Sequence, residues 1–279
     1  MQQTFICFYY IISFILGLII GSFINCLVYR LHVGKSVLSG RSFCPHCKHQ
    51  ITWYDNIPLL SFILLKGKCR YCAKKISNQY PLVELATGIL FVVISLANSQ
   101  SLFNASIISW LILFRNLIFT AILIIIFVYD YKYYLILDKV SIPAIVIALI
   151  LNIGIKIIEI QIFNLQASIF NIFGQYILSA LALAGFFLIQ FLVSNGKWIG
   201  GGDIRLGVLI GFMLGWPMSL LALFLAYIFG SVIGILLIIF KKKNIKSQIA
   251  FGTFLTSTSF IVLVWGDIIL DWYLGFLYL

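Results

Sequence analysis

The segment Gly200-Gly201-Gly202-Asp203-Ile204-Arg205-Leu206-Gly207-Val208-Leu209-Ile210-Gly211-Phe212-Met213-Leu214-Gly215 interrupts an otherwise apolar chain. Three glycines ending in a carboxylate separate the apolar run that closes near Ser194 from the one that opens at Ile204. Glycine has no Cβ, so its backbone reaches positive φ and lets another chain come close, carrying the next side chain where a helix could not. The apolar piece after Asp203 is roughly 12 residues, about 18 Å as a helix, against a hydrocarbon core of roughly 30 Å. If it reaches the far interface, Asp203 starts below the near one. Irregular backbone at that depth survives only inside protein or beside water, and an ionisable group there is a functional-site candidate. The plain alternative is a Gly-rich turn with Asp203 in solvent.

The rest of the chain supplies the membrane that this reading needs. Of 279 residues, 62% are hydrophobic and 10% charged, and mean hydropathy is +1.11. No globular interior absorbs that much apolar surface, so the bilayer is the solvent. Long unbroken runs favour helices over alternating barrel strands, and the fold class is an all-α polytopic membrane protein. About eight spans follow in order: Phe5 to Tyr29, Pro81 to Ala97, Ser106 to Tyr129, Val140 to Ile158, Gly174 to Ser194, Ile204 to Gly215, Pro217 to Phe240 and Phe251 to Tyr273. The first is too long for a cleavable signal and lacks its basic start. No long linker and no internal repeat is read.

A formal charge of +11 would point to nucleic acid in a soluble protein, but these cations serve topology. With the amino terminus outside, all of the 19 Lys and Arg residues except Arg115 and Lys156 fall on the inner side, which fixes the orientation by the positive-inside rule. Membrane lipid, not nucleic acid, is the expected neighbour, and Lys241 to Lys243 with Lys246 anchor the chain against anionic headgroups.

The inner loop after the first span holds Cys44-Pro45-His46-Cys47 and Cys69-Arg70-Tyr71-Cys72. Each pair sets two thiolates on one ion, and two pairs complete a tetrahedral four-sulfur site, so Cys44, Cys47, Cys69 and Cys72 are expected to bind structural zinc. A disulfide framework is disfavoured on the reducing side of the membrane. His46 and His49 are expected at the surface, since four cysteines fill the shell. Cys7 and Cys26 lie in the first span and read as small buried hydrophobes.

Asp130 closes the third span and Asp138 opens the fourth, on the same side as Asp203. Two carboxylates converging in a partly desolvated pocket cannot both ionise cheaply, so they share a proton; one then activates water while the other protonates a leaving amine. A lone interfacial Asp is more often a cap or a solvated charge, and it is the convergence of Asp130 with Asp203 that marks the pair. Arg115, midway along the third span, requires a partner or a water cavity. Glu84 lies just inside the second span.

With these residues in place, the chain resembles the type IV prepilin peptidase family, whose protease half belongs with the GxGD aspartic proteases. Gly21-Ser22-Phe23-x-Asn25 with Tyr29-Arg30 is similar to the family's first motif. Trp53-Tyr54-Asp55-Asn56-Ile57-Pro58-Leu59-Leu60-Ser61 lies between the CxxC pairs, and Tyr80-Pro81-Leu82-Val83-Glu84 follows them. Asp130 with Leu137-Asp138 and Pro143 resembles the segment of the first catalytic aspartate, and Gly200-Gly201-Gly202-Asp203 with Arg205-Leu206 and Gly211 that of the second. Arg205 replaces the usual Lys, Gln79 an Arg that commonly precedes Tyr-Pro, and Ala250 and Thr253 two prolines.

The resemblance implies catalysis by Asp130 and Asp203 and cleavage of the short basic leader of type IV prepilin or pseudopilin precursors, at the cytoplasmic face of a bacterial inner membrane. It also implies N-methylation of the new terminus with S-adenosylmethionine as donor. Residues 1–80 would carry the first span and the zinc loop associated with methyl transfer, and residues 81–279 the peptidase. Two other readings compete: a transporter or channel with a broken helix at 200–203, and a nonenzymatic assembly protein that docks partners through the metal loop.

Overall fold

A computed structural model describes residues 2–36, 40–99, 106–163, 169–240 and 249–277. Nine α-helices follow among them: α1 Gln2–His32, α2 Leu60–Leu64, α3 Gln79–Ala97, α4 Ile107–Tyr133, α5 Asp138–Phe163, α6 Ile169–Ser194, α7 Gly201–Leu214, α8 Met218–Ile239 and α9 Phe251–Leu277. Seven of these, all but α2 and α7, are long and apolar enough to cross a membrane. The eighth expected span is the short helix α7. Two isolated bridges, Phe43 with Gln50 and Lys68 with Lys75, are the extended pairings seen among the described residues.

The chain divides into two compact units, Met1–Phe103 and Asn104–Leu279. Within the first unit α3 packs along α1. Their contact is close: a Cβ at Gly17 would stand 2.7 Å from the Gly88 Cα, and one at Gly21 2.7 Å from the Glu84 Cα. Small residues four apart allow such approach in lipid, where van der Waals contact drives helix association.

The second unit is built around α7. Leu206, Leu209 and Ile210 are fully buried in a core with Phe119, Leu183, Phe187, Ala222 and Leu255, and α7 contacts α5, α6, α8 and α9. Gly207 and Gly211 face α6, where a Cβ would meet Phe187 at 2.7 Å and the Ala180 Cα at 2.4 Å.

With 14 residues, α7 is about 21 Å long, shorter than the hydrocarbon. A helix that stops inside lipid leaves carbonyls that water cannot reach, and these need protein donors. Asn152 of α5, 1% exposed, supplies them: its Nδ2 donates to the Phe212 carbonyl at 2.5 Å and the Met213 carbonyl at 3.1 Å. Arg115 donates to Asn152 Oδ1 at 3.0 Å and, through Nε and a terminal nitrogen, to Asn116 Oδ1 at 3.1 and 3.0 Å. The intramembrane arginine therefore has its partners, and it holds Asn152 against the end of α7.

Candidate functional site

At its other end α7 begins with Gly200 as an extended cap, φ −88° and ψ 160°. The Gly200 N–H donates to Asp203 Oδ2 at 3.0 Å, so Asp203 caps the helix it sits in. None of the three glycines has positive φ, so of the two reasons expected for them, positive φ and close approach, only the second applies. A Cβ at Gly202 would lie 2.9 Å from Ile136 Cβ, whereas one at Gly201 meets nothing within 4 Å.

Asp130 occupies the last turn of α4, which closes on Tyr134 in the left-handed region (φ 56°). Its side chain is buried, with Oδ2 lacking a hydrogen-bond partner among the described residues. The start of α9 presses on this carboxyl: a Cβ at Gly252 would sit 2.7 Å from Oδ2 and 3.3 Å from Ile136 Cδ1. The backbone N–H groups of Gly252 and Thr253 lie beside it. Asp203 is close enough for the two carboxyls to interact electrostatically, with Ile136 filling the corner between α7 and α9. Asp138 is drawn elsewhere. It is half exposed and pairs with Arg205, itself half exposed.

Three participants escaped the sequence reading. Ile136 is an ordinary apolar residue in a turn, and nothing in its type announces contact with two glycines. Gly252 had a signal, a Phe-Gly after a basic run at the mouth of a span. Asn152 had one too, as an amide in an apolar run.

In the first unit the cysteine loop is two copies of one knuckle. In the first, Cys44 N–H donates to the His49 carbonyl, Lys48 N–H to Cys44 and Ile51 N–H to Ser42; in the second, Cys69 donates to Lys74, Ala73 to Cys69 and Ile76 to Gly67, all at 2.8 to 2.9 Å. Lys48 and Ala73 both take positive φ, 61° and 55°. The chain thus contains a short structural repeat, residues 42–51 and 67–76, which the sequence reading did not see because little beyond the cysteines and an isoleucine recurs.

The four sulfurs lie within 4.8 Å of one another, and Cys44 Sγ is 3.9 Å from Cys72 Sγ. That excludes a disulfide at about 2.05 Å and matches the roughly 3.8 Å edge of a tetrahedron with Zn–S bonds near 2.3 Å. The donor set fits a metal ion. The Cys72 backbone N–H directed at Cys69 brings the Cys69 thiol down to about 7, towards the thiolate that a metal requires. His46 and His49 stand outside the cluster, and His49 packs against Tyr71, tilted by 34° with centroids 3.5 Å apart. Of the other two cysteines, expected buried, Cys7 is exposed and Cys26 half-buried on the surface of α1. Asp55, from the 3-10 turn Trp53–Asn56, accepts from Arg70 at 2.6 Å, and that guanidinium holds its carboxyl below the usual carboxylate range.

An all-helical integral membrane protein with a four-cysteine module between its first two spans is the class that these features define. Residues 15–98 match the bacterial peptidase A24 N-terminal domain and residues 117–235 the type IV leader peptidase family. Similar curated proteins include those of Stutzerimonas stutzeri, 30% identical over 95% of this chain and 93% of the relative, and Bacillus subtilis (strain 168), 30% identical over 94% and 97%. That of Aeromonas salmonicida (strain A449) is 31% identical over 96% and 94%. Each is named prepilin leader peptidase/N-methyltransferase. No solved structure matches. The chain belongs to the type IV leader peptidase family and is a bacterial membrane enzyme, a protease of that family.

Proposed function

We propose that the chain cleaves the leader of type IV prepilin-like precursors with Asp130 and Asp203, at the cytoplasmic face of the inner membrane, and then N-methylates the new terminus. The observation that supports the peptidase reading is that the carboxyls of Asp130 and Asp203, from the ends of different helices, are near enough to interact electrostatically, with Asp130 Oδ2 buried and without a hydrogen-bond partner among the described residues. A pair sharing one proton can run peptide hydrolysis. The ionised carboxylate takes a proton from water as its oxygen attacks the scissile carbonyl. The protonated partner gives its proton to the departing amine as the C–N bond breaks, and the pair ends with its protons exchanged.

Cys44, Cys47, Cys69 and Cys72 would hold zinc, which supplies a closed tetrahedral node that folds the loop and leaves no open position for substrate. S-adenosylmethionine is the co-substrate of the methyl-transfer half. Conversion of a purified precursor, followed by mass analysis of the product terminus, tests both halves. A cleaved and methylated terminus is expected, and an untouched precursor would contradict the reading of its substrate class.

A further inference from the structure

We propose that Glu84 receives the α-ammonium of the cleaved product and takes its proton before methyl transfer; this rests on the methyltransferase reading above. Glu84 stands in the second turn of α3, where the loop passes into the span, and is 7% exposed. A buried carboxylate is costly unless a cation or several donors meet it. One donor does: the Leu59 N–H reaches Oε2 at 2.9 Å, with the Ser22 hydroxyl beside the carboxyl. Among the described residues no Lys, Arg or His nitrogen reaches it within 4.0 Å. A carboxylate has about four acceptor positions, so Glu84 keeps acceptor capacity for an incoming ammonium.

The surroundings are built with care for this one group. Leu59 presents its N–H from φ 59°, a region a leucine occupies at a cost, and such strain collects at functional sites. Gly21 admits α1 to within contact of the Glu84 backbone. Asn25, 2% exposed, donates to the Tyr80 carbonyl at 3.0 Å and accepts from Gln79 at 3.4 Å, fixing the start of α3.

The chemistry calls for such a group. A free α-amino terminus has a pKa near 8 and is mostly ammonium at neutral pH, without a lone pair to react. Once Glu84 has taken a proton, the amine nitrogen forms a bond to the methyl carbon of a sulfonium donor. The C–S bond breaks, its electron pair stays on sulfur, and the donor leaves as a neutral thioether. The proton on Glu84 passes to water.

The experiment compares wild type, Glu84→Gln and Glu84→Ala on a synthetic mature terminus, with labelled S-adenosylmethionine as donor. Precursor cleavage and metal content are measured alongside. The Gln amide still accepts from Leu59 N–H, so the loop should keep its metal, yet methylation relative to cleavage should fall about a hundredfold or more, the range of a lost general base. Wild type should also bind the free-amine peptide better than its acetylated form, and Glu84→Gln should lose that preference. Near wild-type methylation by Glu84→Gln with failure of Glu84→Ala would make Glu84 an anchor for Leu59 and overturn the proposal. A wild type that cleaves but never methylates would instead overturn the methyltransferase reading, and this proposal with it.

Discussion

Asp138, at the start of α5, is ion-paired with Arg205, two residues beyond Asp203 on α7. The pair ties two helix starts together on the exposed flank of the site and leaves Asp138 outside the carboxyl pair. An exposed ion pair contributes about 1 kcal/mol or less, so Asp138→Asn should slow cleavage by no more than about tenfold. Arg205→Lys should be milder still. Steady-state cleavage rates check this, and a dead Asp138→Asn beside an active Asp130→Asn would reverse the assignment.

Gly252 sets a second expectation. Its absent Cβ would overlap Asp130 Oδ2 at 2.7 Å, so Gly252→Ala should displace the carboxyl and reduce cleavage on the order of a hundredfold, as misplacements of about 1 Å do. Gly202→Val should also fail, by pushing Ile136, whereas Gly201→Ala, with nothing within 4 Å, should stay close to wild type. Equal tolerance of all three in a cleavage assay would show the glycines to be a linker.

The expectation for the clamp on α7 concerns stability. Asn152→Leu strips the Phe212 and Met213 carbonyls of their donor and leaves Arg115 short of an acceptor, at a cost of about 1–3 kcal/mol for each buried group left unsatisfied. Arg115→Met should cost less, since Asn152 can still reach the carbonyls. Because the two act together, the double variant should be less destabilised than the sum. Unfolding in detergent measures this, and strict additivity would separate the two residues.

Much of this was legible in the chain because lipid imposes simple rules. The seven long spans, the break at 200, the approach of Asp203 to Asp130 and the four cysteines follow from hydropathy, helix length and ligand spacing, whereas the eighth span read from sequence is a helix too short to count among them. What was not legible depends on pairs of elements distant in sequence. Arg115 could be read as needing a partner, yet that partner, Asn152, stands 37 residues away, at a position with no signature beyond polarity. Gly202 could be read as special, but its constraint is the Ile136 side chain, not φ, and only packing reveals that.

For the cysteine loop, replacing Cys44, Cys47, Cys69 or Cys72 by Ser should lower bound zinc towards zero and unfold the knuckles, since the metal supplies their folding energy. Acid separates two titrations. Arg70 depresses Asp55, so that pair stabilises the loop at pH values above the ordinary carboxylate pKa near 3.9 and is lost only as pH falls through the lower folded value. Thiolate protonation, competing with metal, comes at higher pH. Asp55→Asn should therefore shift the acid midpoint of zinc release by less than about half a pH unit, the effect of losing one ion pair whose guanidinium is half exposed. A larger shift, read by a metal-sensitive dye, would couple Asp55 to the cluster.

Whether Asp130 and Asp203 act as one hydrolytic unit is decided by single-turnover cleavage of a purified precursor by wild type, Asp130→Asn, Asp203→Asn and the double variant in equal folded amounts. An amide neither takes a proton from water nor shares one, so each single variant should lose about a thousandfold or more, and the double variant should be no worse than either, as for groups acting as a unit. Substantial cleavage by either single variant, or losses that multiply in the double, would contradict the account.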